Sequence, residues 1–210
     1  MTWKLPNDID EKAYACKLRI EAGEALFSNK LDDQMGELET EKLEILKDFD
    51  LVQRYEDLSK YEDACKQSEA LQYKIEDALE KADVVKRRQV IFKQKPVDYS
   101  SLDKLQKEFA PHLQLWQAAR YYYDHSRLWM NGSISDELMS TLSQDIQQYS
   151  SAVGKLQKKD FRDKAETAAI ANDLRKLYES FRPYLPLVVA LKNKHMVSRH
   201  FQDIRNLREP

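Results

Sequence analysis

The chain has 210 residues and a mass of 24.7 kDa; 33% of its residues are charged and only four are glycine. Glu, Lys, Leu, Gln and Ala dominate, the profile of long helices or coiled coils, and no apolar run approaches the roughly 18 residues needed to span a bilayer. The formal charge of −2 hides an asymmetry: residues 1–83 carry 12 Lys/Arg against 22 Asp/Glu, net −10, and the remainder carries 22 against 14, net +8.

The N-terminus, Met-Thr-Trp-Lys-Leu-Pro, lacks the apolar core of a secretory signal. Cys16 and Cys65 are far apart and flanked by helix formers, which reads as two reduced thiols of a cytosolic protein. Leu31, Met35, Leu38, Lys42, Ile45, Phe49 and Val52 follow alternating steps of four and three, with Leu43 and Leu46 broadening the apolar face. A second seam runs Tyr61, Ala64, Ser68, Leu71, Ile75, Ala78, Ala82, Val85, Gln89, Phe92. Such spacing returns a narrow stripe to the same side every heptad, as a coiled-coil helix requires. Ser59 and Glu62 form a capping-box pattern between the stripes. The pattern predicts two antiparallel helices meeting near residues 54–59, or one bent helix.

Lys95-Pro96 ends this region, because proline disfavours the helical conformation of the residue before it. Leu102, Leu105, Phe109, Leu113, Trp116, Ala119, Tyr123 and Leu128 predict a helix over residues 102–130, with Pro111 kinking or breaking it near 110. Asn131-Gly132-Ser133 is a stop signal, and Ser133 or Ser135 would cap the next helix, running to about Lys155. A further helix is predicted over 161–181, and Pro183 and Pro186 interrupt the chain before a last helical segment. The expected fold is all-α without a sheet: an acidic coiled-coil-like arm over 1–94, then an elongated helical bundle over 95–210.

Chemistry is hard to place on this chain. Gly154-Lys155 lacks the upstream glycine and the following Ser or Thr of a phosphate loop. His195 and His200 lie about 140° apart around a helix, and no HExxH, CxxC or calcium-loop pattern is present. The cysteines and histidines occupy no glycine-rich turn that would present a nucleophile. No catalytic residue, metal site or cofactor is predicted. The basic half intersperses its lysines and arginines with acids and has no reader motif, so no nucleic-acid partner is expected. The aromatic run Trp116, Tyr121, Tyr122, Tyr123, Trp129 predicts core tryptophans. Three consecutive tyrosines cannot share one helix face, so at least one is expected to be exposed or to dock a partner.

Several features in order carry a family resemblance. Phe92-Lys-Gln-Lys-Pro96 precedes Tyr99-Ser-Ser-Leu102; Phe109-x-Pro111 precedes Leu115-Trp116, then Trp129-Met-Asn-Gly132. Leu174, Tyr178 and an apolar stretch from Pro186 then lead into Arg199-His200-Phe201 and Ile204. Over roughly residues 90–206 this resembles the tail-to-linker region of axonemal dynein heavy chains, where the tripeptide is usually Arg-His-Trp. The resemblance implies a mechanical segment of a microtubule motor whose ATPase ring lies far downstream. Its implied partners are the rest of the heavy chain, other dynein subunits and axonemal docking proteins, with no membrane. The implied setting is the cytoskeleton of a cilium or flagellum. Arg199, His200 and Phe201 are then candidate packing or interface residues. As a buried anchor, Phe201 would lose about 3–5 kcal/mol on truncation to Ala. Two competing readings are a stand-alone coiled-coil scaffold or adaptor, dimerising through 31–92, and a nucleic-acid binder using the basic half.

Overall fold

In the computed structural model, residues 4–131, 138–191 and 195–206 are described, and no strand occurs among them. The all-α expectation holds. The helices are α1 (Lys4–Gln53), α2 (Tyr61–Ile91), α3 (Ser100–Asn131), α4 (Leu138–Lys155), α5 (Ala165–Ser180), α6 (Leu185–Leu191) and α7 (Ser198–Asn206). The chain divides into two compact units, one of Met1–Leu51 with Ala70–Phe109, the other of Val52–Glu69 with Ala110–Pro210.

In the first unit α1 and α2 pair antiparallel, as the two seams require. Leu31, Leu38 and Ile45 on one helix and Leu71, Ile75, Ala78, Ala82 and Val85 on the other are buried. Polar rungs flank that seam at heptad intervals. Lys74 Nζ meets Asp48 at 2.6 Å, Lys81 Nζ meets Glu41 at 2.6 Å, and Arg88 donates to Gln34. Each rung is seven residues further along α2 and seven residues back along α1, the signature of an antiparallel pair in register. Leu43 and Leu46, expected to broaden the face, are exposed instead, because a two-helix seam covers only a narrow stripe. The start of α3 joins this unit through Leu102, Leu105 and Phe109, whose ring meets Phe49 edge-on at 5.7 Å. Upstream of Ser28, α1 leaves Ile9, Tyr14, Leu18, Ile20, Leu26 and Phe27 exposed.

The turn out of α2 is a Schellman closure. Lys93 N–H donates to Val90 C=O (3.1 Å) and Gln94 N–H to Gln89 C=O (2.9 Å), with Lys93 at φ 55° where a glycine is usual. Buried Gln89 also steadies the connection to α3, its side-chain oxygen accepting Val97 N–H at 3.0 Å.

In the second unit the expected Ser59 cap is displaced. Asp57 is the N-cap, accepting the N–H of Ser59 at 2.8 Å and its hydroxyl at 2.6 Å. A carboxylate placed two residues earlier can satisfy both donors at once, whereas the serine hydroxyl would satisfy one. Asp98 repeats the device before α3 with Ser100, at 2.9 and 3.0 Å. Pro111 does not break α3, which runs through it without interruption. The burial of Phe109, His112, Leu115 and Trp116 around it offsets the roughly 3 kcal/mol that an internal proline costs. The Gly132 stop and the Ser133 and Ser135 caps lie outside the described residues. After α4 the chain makes a π turn at Leu156–Asp160, closed by Phe161 N–H to Leu156 C=O at 2.9 Å. Leu156 and Phe161 are buried by that turn. Helix α5 packs along α4, and its Thr167, Ile170, Ala171, Leu174 and Tyr178 are buried.

Candidate functional site

Consecutive residues of an α-helix point about 100° apart, so Tyr121, Tyr122 and Tyr123 fan around α3. Each finds a different partner, all within the second unit. Tyr121 lies between His125 (3.9 Å) and Tyr149 of α4 (4.3 Å), both stacked, and donates its hydroxyl to Asp145 at 2.7 Å. Asp145 also accepts from Thr141 at 2.8 Å. Buried Tyr122 meets Tyr178 (5.2 Å) and Phe181 (6.0 Å) edge-on. Tyr123 stacks on Tyr61 at the start of α2, 4.4 Å between centroids. Tyr122 is buried and Tyr121 and Tyr123 are half-buried, and each of the three has a ring partner within the chain.

Tyr178 ties the cluster together. Its ring lies parallel to Tyr149 at 5.6 Å, and its hydroxyl donates to the Ala118 carbonyl at 2.7 Å. Burial raises its phenol pKa, and burial together with Asp145 raises that of Tyr121, so both stay neutral donors. Trp116 is 1% exposed and meets Tyr55 edge-on at 5.9 Å. Trp129 is buried against Phe181 at 5.2 Å, and its Nε1 meets no hydrogen-bond acceptor among the described residues. Edge-on and offset ring pairs each contribute about 0.5–1.5 kcal/mol beyond area burial, so the arrangement is a packing centre joining α3, α4 and α5.

A second buried group lies nearby on the same helix. His112 is 1% exposed, its ring meets Phe161 at 5.0 Å, and its Nε2 lies 3.2 Å from Lys164 Nζ. The ammonium can only donate, so Nε2 accepts and the imidazole is neutral. Burial, then the Lys164 charge, pushes its pKa down to about 4.

Arg199, His200 and Phe201 stand apart on α7 and share no ring contact or hydrogen bond with the aromatic cluster among the described residues. His200 has a local task. Its Nδ1 accepts the Val197 N–H at 3.1 Å while its own amide donates to Val197 C=O at 2.9 Å. The imidazole thus supplies the back-reaching half of a capping box in place of the usual carboxylate, while the second bond goes to the Val197 backbone carbonyl. Arg199 is exposed, and Phe201 remains 39% exposed beside Ile204 at 48%. Phe201 is therefore not a core anchor within this chain, and the loss expected for a buried ring does not apply to it.

The sequence did not mark Tyr61, Tyr149, Tyr178, Phe181, Asp145 or His112 as members of a packing centre. Tyr61 was marked as the first position of the second seam and Tyr178 only within the family resemblance; the others carry no helical-period signal that separates a ring partner from a half-exposed surface residue. No group of three or more His, Cys, Asp or Glu that could hold a metal occurs among the described residues, and no described helix is long and apolar enough to cross a membrane.

The family model described as dynein heavy chain, N-terminal region 2, matches residues 102–209. Dynein axonemal heavy chain 1 of Homo sapiens is 30% identical over 132 residues, covering 63% of this chain and 3% of that protein. The proteins of the same name from Mus musculus and Rattus norvegicus match with the same identity and coverage. The chain thus spans a small fraction of the length of these relatives. No solved structure matches it.

Proposed function

The chain belongs to the dynein heavy chain N-terminal region 2 family, and from that premise we propose that it serves as a force-transmitting tail-to-linker segment of an axonemal dynein. The observation that carries this reading is the family match over residues 102–209, which covers the α3, α4 and α5 residues of the aromatic packing centre and the helices that follow it. A mechanical element must resist bending, and the helices suit that task. Helix α1 has 50 residues, which at 1.5 Å per residue makes it roughly 75 Å long.

The role proposed for the chain is to hold and transmit; the chemistry of ATP hydrolysis belongs to a ring elsewhere in the motor. Its partners are the remainder of the heavy chain, other dynein subunits and axonemal docking proteins, and its setting is the cytoskeleton of a cilium or flagellum. The apolar side chains that α6 and α7 leave in solvent, Leu187, Val189, Phe201 and Ile204, are proposed as surfaces that neighbouring parts of the motor cover. In that setting Phe201 regains the role of an aromatic anchor, without the indole N–H of the family's usual Trp.

The test is the size of the native polypeptide, read by immunoblot of ciliated-cell extract with an antibody against the α4–α5 region. A band far heavier than 24.7 kDa is the expected result. A band at the chain's own mass would overturn the heavy-chain role. It would favour a coiled-coil scaffold, a second reading that the exposed Ile9, Ile20 and Phe27 of α1 support.

A further inference from the structure

We propose that the groove between the end of α4, the π turn and α5 is a docking site for an acidic, extended segment of a partner protein. The inference uses only the local chemistry of the second unit and does not depend on the motor reading. The groove encloses about 520 Å³, and Lys155, Lys158, Lys159, Arg175 and Arg182 line it against a single carboxylate, Glu179. Glu179 is already engaged, accepting from Arg175 Nε at 2.8 Å. The other four cations are exposed and make no ion pair among the described residues.

The fold concentrates this charge for an identifiable reason. Leu156 and Phe161 anchor the π turn inward, which turns Lys155, Lys158 and Lys159 outward along one rim. Arg175 and Arg182 supply the other rim from α5 and the turn after it. At Gly154 the floor is bare. The Arg175 side chain lies across that glycine, 3.7 to 3.9 Å from where a Cβ would stand. Ser150 and Ser151 complete the lining with hydroxyls that can donate to a carboxylate.

Lysines at the end of a helix also complement its dipole, worth about 0.3–1 kcal/mol each at the surface. That accounts for Lys158 and Lys159, but not for Arg175, which sits in the middle of α5 where the dipole has no such effect. Unpaired cations facing one another across a groove repel, and an anion between them relieves that repulsion.

The groove fits carboxylates on a polypeptide better than the phosphates of a nucleic acid. No aromatic side chain lines it for base stacking. The whole chain carries −2, which disfavours long polyanions but not a short acidic stretch held between two basic rims.

The experiment uses the full chain and a fluorescent peptide of alternating Glu and Gly, with binding followed by anisotropy. The variant is the double charge reversal Lys158→Glu/Arg182→Glu, and the control is Lys17→Glu on exposed α1. The expected result is saturable binding that weakens at least about tenfold between roughly 0.05 and 0.3 M salt. The double variant is expected to weaken binding by about tenfold or more, and the control to leave it unchanged. Far-UV circular dichroism and thermal melts of the double variant should match the parent, since both side chains are exposed. No binding at low salt, or equal binding by the double variant, overturns the proposal. So does an equally tight complex with a short DNA duplex that the double variant also loses. Sedimentation showing self-association abolished by the double variant would give the groove to the acidic arm of a second copy, and overturn a foreign partner.

Discussion

The paired stretch of α1 and α2 and the aromatic centre of α3 to α5 bury their surfaces with different kinds of side chain. In the helix pair, leucines and isoleucines meet alanines (Ala78 and Ala82 are at most 2% exposed), with polar rungs outside the seam. In the aromatic centre, Tyr122 alone touches four other rings, those of Tyr123, Trp129, Tyr178 and Phe181, and the hydroxyls of Tyr121 and Tyr178 carry hydrogen bonds between helices. A ladder spreads its stabilisation over many small, equivalent contacts. A ring cluster concentrates it in a few side chains that each serve several helices. The same kind of substitution should therefore be local in the first region and far-reaching in the second.

The largest expected effect is in the second. Trp116→Ala removes a ring that is 1% exposed and should cost about 3–5 kcal/mol in urea unfolding followed by circular dichroism. A loss below about 1 kcal/mol would show that the stabilisation is not concentrated there. Next comes a pH dependence from His112. Its folded pKa is depressed to about 4 from 6.5, so the unfolded chain takes up a proton first as pH falls. Stability from this group is complete above pH 6.5, declines between 6.5 and about 4, and is level below. The full difference is about 3 kcal/mol. His112→Leu should flatten that part of the profile; an unchanged slope would assign it to other groups. In the helix pair, Ala78→Leu overfills a seam position with no exposed surface and should cost about 1–3 kcal/mol. A neutral result there would mean the two helices separate more readily than the ladder implies.

How far each region was legible follows the same division. The seams were read from periodicity because stripes at steps of three and four have one physical interpretation, a face that must be covered. The antiparallel partner was legible as one of two readings, since a short break between two such stripes can bring them back on each other or merely bend a single helix. Leu43 and Leu46 were misjudged because apolar identity does not report how wide a partner's cover is. The capping residue near 58 was misplaced because Asp57 and Ser59 both qualify by type, and only geometry shows that the carboxylate takes both donors. Pro111 was given its local effect, a kink or a break, whereas the burial on both sides of it holds α3 continuous. The aromatic centre was least legible. Tyr121 was marked by its position in a run, but Tyr149 and Tyr178 lie 28 and 57 positions further on, and no local pattern links rings so far apart. Phe201 took its expected burial from the family resemblance, whereas its ring on α7 stands 39% exposed among the described residues.

The smallest expected effect sharpens the comparison from the turn that ends α2. Lys93 holds a left-handed conformation, φ 55°, which for a residue with a Cβ is unfavourable by roughly 1–2 kcal/mol. The chain keeps it because the closure around it is already determined. Gln94 N–H reaches the Gln89 carbonyl, the Gln94 side chain donates to Ser28 Oγ at 3.2 Å, and Gln89 holds Val97. Lys93→Gly removes the steric conflict and leaves all of these bonds in place, while the greater freedom of glycine in the unfolded chain takes back part of the gain. The net should be a stabilisation of about 0.5–1 kcal/mol, seen as a higher urea midpoint with an unchanged slope. A destabilised variant would mean that the Lys93 stem makes contacts worth more than its strain, and that the end of the ladder, like the aromatic centre, depends on one side chain.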